Sequence, residues 1–325
     1  MPSHSLKNPF EIPKERDSNH KAFVKSVLGK GTSEPNIPKE DFGTDVDDIH
    51  LSAEDQKRIE DEKIFREIIA RESVALRNFF GKEIIVPPLP KQATRERILE
   101  WRKLGLELHY LPPISMAEIK RDVDGFVTNV QPKNFPGWKK KLSHWFFDKI
   151  KSWDLPPEAA KLPGAWVLVD ARPKPIEDDG KQMYLNDFLG PVLEELNKKE
   201  IIKRTSIHSK TLLADSRYGL SRIDLDNSRV KEAIAQAMNI SETCLSLPSA
   251  IEFNFLGNIY YPQWDKTNTY EWFSDNLEGE CLFGGSSHIG GLSCVEKVNP
   301  ASRYFDVGFR FIGRLPSSQE ENHKE

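Results

Sequence analysis

Between Cys281 and Gly313 the sequence reads CLFGGSSHIGGLSCVEKVNPASRYFDVGFRFIG, and the two Gly-Gly pairs in it restrict the fold more than any other feature. Glycine is kept where the backbone takes positive φ or passes close to another segment, because a Cβ would block either. Paired glycines at 284–285 and 290–291 therefore mark a tightly built platform, poorly suited to a packed helix or a regular strand. After the second pair comes a polar stretch of mixed character, bounded at its end by VGFRFIG. That run alternates Val307, Phe309 and Phe311 against Gly308, Arg310 and Ile312, the period of a central strand buried on one face. Arg310 is expected to fork onto a carboxylate or carbonyls and lock the fold.

Upstream, the pattern divides the chain. Residues 1–50 mix Pro, Gly, Lys, Asp and Ser with few clustered apolar residues, too little burial to offset backbone ordering, and read as a disordered tail. At Ser52 the run SAED has capping-box spacing, and Ile59, Phe65, Ile68, Ile69, Leu76 and Phe79 recur at helical intervals until Gly81. After VPPLP, Thr94 caps a second helix or helix-turn, TRERILEWRKLGLELHYLPP, ended by Pro112 and Pro113. A third helix follows FPGW, with Trp138, Leu142, Trp145, Phe146, Ile150 and Trp153 on one face, a core seam or a ligand shelf. Residues 51–163 thus read as a small helical region without strands. From Pro163 the character turns to mixed α and β. AWVLVDAR is a buried strand, DFLGPVLEELNKK and DNSRVKEAIAQAMN are helices, and SAIE opens a short helix at Ser249.

The 325 residues, 38% hydrophobic and 30% charged, suffice for a real core and for two domains. A net charge of −4 gives no global reason to expect a nucleic-acid or acidic-membrane partner. The stretch Lys91–Lys151 is locally basic, with KKK at 139–141, which reads as a solvated helix face or a phosphate-binding patch. Three cysteines without a C-x-x-C make no disulfide framework. With no apolar leader and no long apolar run, the expected location is cytoplasmic, non-classical export staying open.

Familiar catalytic motifs are missing. No G-x-x-x-x-G-K-[ST] run cradles a phosphate and no G-x-S-x-G elbow presents a serine. Ser286, Ser287 and His288 set hydroxyls beside an imidazole, but adjacency in sequence does not align a nucleophile with its base. DLDNS at Asp224 begins like a calcium loop yet lacks the Gly and Glu such a loop needs. Cys281, His288 and Cys294 are not paired at zinc-ligand spacing.

Three separated stretches carry more. LPSAIEFNFLGN (Leu247–Asn258), NTYEWFSDN (Asn268–Asn276) and FGGSSHIGG…VGFRFIG (Phe283–Gly313) resemble, in order and spacing, the C-type-lectin-like domain of formylglycine-generating enzymes (sulfatase-modifying factors) and their relatives. The fold expected is α+β: a disordered tail over 1–50, a helical region over 51–163 and a C-type-lectin-like domain over 164–325. The resemblance implies that Asn268 and Glu271 stand where family members can hold a structural calcium ion, with a hydrogen-bonding role as the alternative; no other cofactor is expected. Formylglycine formation in the family needs two cysteines after the Gly-Gly to bind copper. Here Ile289 stands at the first position and Cys294 at the second, so the bis-thiolate site is incomplete. An iron-dependent branch uses histidines of an added helical domain, and His109 and His144 fall in neither an H-x-x-x-H nor an H-x-E pattern.

In layout the chain is similar to another branch, the variable proteins of diversity-generating retroelements, which display variable residues between the Gly-Gly and the final GFR. His288, Ile289, Cys294, Asn299, Arg303, Tyr304, Phe305 and Asp306 are residue types reached by randomising codons that keep a pyrimidine at the third base; Glu296 and Lys297 are not. The resemblance implies a non-enzymatic protein that binds a protein or other macromolecular ligand, not a nucleic acid or membrane, with oligomeric state open. The expected binding residues are Ser287, His288, Ile289, Cys294, Glu296, Lys297, Asn299, Arg303, Tyr304 and Phe305. The alternative is an enzyme of the formylglycine-generating superfamily with a site rearranged around Cys294, Ser286 and His288.

Overall fold

Caps written in the sequence set the helices. A computed structural model describes residues 52–204 and 212–316; the tail expected over 1–50 lies outside them. Ser52 accepts from the Asp55 amide to start α1 (Ala53–Phe80), and Gly81 ends it at φ 70°. Thr94 caps α2 (Arg95–Lys103), which stops at Leu104 and Gly105, the latter at φ 74°. The chain then reverses into β1 (Leu106–Leu111), where a continued helix was expected. A hairpin of β2 (Ala117–Arg121) and β3 (Val127–Pro132) follows. The strandless reading of 51–163 is thus corrected: LELHYL is a short apolar run whose type is decided by its partner, and here the partner is a strand.

The expected third helix is shorter than its aromatic stripe. It runs as α3 (His144–Lys151), burying Phe146, Phe147 and Ile150; Trp138 and Leu142 are buried ahead of it, while Trp153 lies beyond its end and is exposed. The strand at AWVLVD forms as β4 (Ala165–Asp170), and the expected helices form as α4 (Gly190–Lys198) and α6 (Ser228–Ala237), with a short α5 (Arg222–Asp226) between. After the two-residue β5 (Leu245–Ser246), Ser249 and Glu252 make a reciprocal capping box that opens α7 (Ala250–Ile259). Ala250 to Gly257 are all buried, as a helix wrapped on every side by other elements must be.

Among the described residues there are two four-stranded sheets. One is antiparallel, in the order β1-β4-β10-β5, where β10 is Ile312–Leu315. The second has the order β8-β7-β6-β9, from β6 (Tyr270–Leu277), β7 (Glu280–Gly284), β8 (Val295–Val298) and β9 (Val307–Gly308). β1 pairs with β4 along its whole length, so residues before and after 163 share one sheet, and the described residues from 52 onward form one compact unit of α+β class.

VGFRFIG is not the single alternating strand its pattern suggests. Val307 and Gly308 pair with β6, Ile312 begins the pairing with β4 and β5, and Phe309 to Phe311 cross between the sheets. Every residue from Val307 to Gly313 is buried, because the crossing runs through the core.

Candidate functional site

The glycine-rich segment is built on three close approaches. At Gly284 a Cβ would overlap the Cys294 carbonyl, and at Gly291 (φ 60°) it would overlap the Asp265 carboxylate. At Gly257, on α7, it would collide with the Leu292 side chain. These approaches let polar groups beneath the segment reach its backbone. Asp265 Oδ1 accepts from the Leu292 amide (2.8 Å), Asn254 Nδ2 donates to the Leu292 carbonyl (2.7 Å), and the Ser287 amide donates to the Thr267 carbonyl (2.8 Å). The Gly291 amide closes back on the Ser286 carbonyl at 2.7 Å.

Two lysines complete the base. Lys140, from the basic KKK run, pairs with Asp265 (2.8 Å) and donates to the Gly290 carbonyl (3.3 Å). Buried Lys174 donates to the Gly285 carbonyl (2.6 Å) and the Thr269 carbonyl (2.9 Å). Burial pulls the Lys174 pKa down to about 8.

On this base the expected binding residues separate into two groups. Ser287, His288 and Ile289 form one 3₁₀ turn; Ser287 is half-buried, His288 is exposed, and Ile289 is 47% exposed although apolar. Glu296 and Lys297 are exposed on β8, an edge strand, and Asn299 is exposed just after it. Lys297 pairs with Glu280 across β7 and β8.

The second group is held by the frame. Cys294 is buried, its carbonyl accepting from the Gly285 amide (3.3 Å) and its thiol pushed up to about 11 by burial; the expectation that it is displayed is corrected. Arg303 Nε and Nη2 each donate to Asp224 at 3.0 Å. Tyr304 stacks on Phe283 with centroids 6.2 Å apart, and the Phe305 carbonyl accepts from the Gln182 amide. The exposed set is therefore His288, Ile289, Glu296, Lys297 and Asn299, with Ser287 half-buried beside it.

The Ser286 hydroxyl donates to the Asn268 carbonyl (2.9 Å), and Cys294 lies inside while Ile289 points out. This donor set does not fit copper. Glu271 is buried with Arg310 at 3.0 and 3.2 Å and with the Tyr184 hydroxyl, and Asn268 Oδ1 accepts from the Glu177 amide (2.8 Å). A guanidinium thus stands where calcium would need the carboxylate, so Asn268 and Glu271 fit the hydrogen-bonding role. Among the described residues no group of three or more His, Cys, Asp or Glu is placed to hold a metal ion.

Arg310 also donates to the Asp170 and Arg172 carbonyls, the fork expected from the sequence. Behind it Arg217 bridges Asp170 and Asp187 at 2.7 and 2.6 Å. Burial opposes ionisation of Asp170, but Arg217, Arg172 and Arg310 outweigh it and hold its carboxyl well below the usual range.

Sequence reasoning missed Asn254, Asp265 and Lys174. Asn254 sits inside an otherwise apolar helix face, a usable hint; Asp265 and Lys174 lie in turn-like runs that carry none. No family model, no curated protein and no solved structure matches the chain.

Proposed function

We propose that the chain is a non-enzymatic binding protein whose C-type-lectin-like half displays a surface to a protein or other macromolecular ligand. The observation that carries this reading is the pair His288 and Ile289, turned to solvent on a loop whose backbone is bonded from below by Asp265, Asn254, Lys140 and Thr267. An exposed isoleucine held this way loses little entropy on binding, because the loop is ordered beforehand. Further support comes from the meeting in space of the three stretches that carry the resemblance. Asn254 of α7 donates to the Leu292 carbonyl, Arg310 grips Glu271 of β6, and Phe253 packs on Phe273 at 5.2 Å.

A photoreactive phenylalanine analogue placed at position 289 of the full chain tests the reading, with the same residue at exposed Trp153 as control. In extracts of the source cells, position 289 should give an adduct of defined mass that excess wild type competes away. Protein carrying His288→Ala, Ile289→Ala and Asn299→Ala should not compete. An adduct formed equally from 153, or none competed, would contradict display at this loop. Diversification is read in the DNA: a near-copy of the codons for 285–310, differing at adenines and beside a reverse transcriptase, is the expected sign. Without that copy the diversification proposal falls and the binding proposal stands.

A further inference from the structure

A cleft of about 510 Å³ opens where α1 and α2 lie over the β1 and β4 end of the antiparallel sheet. Its volume falls within the range of small-molecule sites, roughly 300–1,000 Å³. Ile68, Ile98, Trp101, Leu106 and Leu168 make an apolar floor, and each is buried. The Trp101 indole N–H is already committed to the Met238 carbonyl (2.9 Å), so it offers a fixed surface and no free donor.

Four charged side chains line the same cleft, and three are occupied. Arg172 binds Asp170 and donates to the Asn186 carbonyl (2.7 Å). Arg71 donates to Glu72 (3.1 Å) and to the Leu108 carbonyl (2.5 Å). Glu107 lies 3.5 Å from His109 Nε2, 3.4 Å from the Tyr261 hydroxyl and 4.0 Å from Arg71. Arg71 and Glu107 are held by the network behind β1, where Glu72 takes the Tyr110 amide (3.0 Å) and the Tyr260 hydroxyl (2.5 Å).

Arg102 differs. It stands exposed in the last turn of α2, and its guanidinium has no hydrogen-bond or ion-pair partner among the described residues. A guanidinium presents paired N–H donors at the spacing of carboxylate or phosphate oxygens. Beside an apolar floor, such a free fork selects a ligand that is charged at one end and apolar at the other.

We propose that this cleft binds a small organic anion, a carboxylate or phosphate on an apolar or aromatic body, with Arg102 taking the charge. The body lies against Ile98, Trp101 and Leu106. Arg71 and Arg172 keep the cleft positively biased without being drawn from their own partners. The site is distinct from the glycine-rich surface, so each reading stands or falls without the other.

Isothermal titration of the full chain with benzoate, phenyl phosphate and neutral benzyl alcohol tests the proposal. At least one anion should bind with a Kd on the order of 1 mM or tighter, and the alcohol about tenfold or more weaker. The tighter of the two anions identifies the headgroup. Arg102→Ala should weaken the anion about tenfold or more at unchanged Tm, since the side chain supports nothing else. Lys103→Ala, the neighbouring cation on the same helix, should leave it unchanged. Failure of both anions to bind near 10 mM, or equal effects of the two substitutions, would overturn the site.

Discussion

Lys174 is a buried cation bonded to the backbone of the glycine-rich segment, and its proton ties stability to pH. Burial brings its pKa to about 8, against an ordinary 10.5. Between those values the unfolded chain holds more protons than the folded one, so this residue's contribution to stability rises with pH. Below about pH 8 the charged form is present in both states and its burial penalty is felt in full. Urea denaturation of wild type and Lys174→Met should give a difference that grows by about 3 kcal/mol in the wild type's favour from pH 8 to 10.5. A difference flat across that window would show that Lys174 is not buried as described. Gly291 is tested by its contrast with Gly125, since both have positive φ but only Gly291 faces an obstacle, the Asp265 carboxylate. Gly291→Ala should cost roughly 3 kcal/mol in urea unfolding and Gly125→Ala about 1 kcal/mol.

Among the elements, the final segment ties the sheets and α7 together through two arginines. Arg310 is buried against Glu271 of β6, and Arg314 takes both oxygens of Glu252 on α7 at 2.5 and 2.7 Å. Arg310→Leu strands the Glu271 carboxylate inside the core and should lower stability by about 3–5 kcal/mol, measured by urea denaturation. A loss under about 1 kcal/mol would mean that water or Tyr184 compensates the charge. The helices here were legible because their ends are chemical: Ser52, Thr94, Asn227 and Ser249 each accept the amide that an N-cap must satisfy. β1 was not legible, because Leu104, Leu106, Leu108 and Leu111 suit a helix face as well as a strand, and its register comes from β4 more than fifty residues later. VGFRFIG misled for a related reason. Its alternation is real, but buried Arg310 must reach Glu271 and the Asp170 carbonyl, and the chain leaves the strand geometry to deliver it.

For the molecule as a whole, the site was legible as a location and less so as a set of side chains. The glycine pairs mark where the backbone must pass close to Asp265 and Cys294, which composition can announce. Which neighbours face outward depends on the layers beneath, so Cys294 turned inward and Arg303 was taken by Asp224, a residue distant in sequence. The proposed display requires a loop ordered before any ligand arrives. Residue-resolved hydrogen–deuterium exchange on the free protein measures that directly. The amides of Ser287, Gly291, Leu292 and Cys294, bonded respectively to Thr267, Ser286, Asp265 and Gly291, should exchange as slowly as those of the α7 interior. His288 should exchange quickly beside them. Uniformly fast exchange from Gly284 to Cys294, at a temperature where α7 stays protected, would contradict the account.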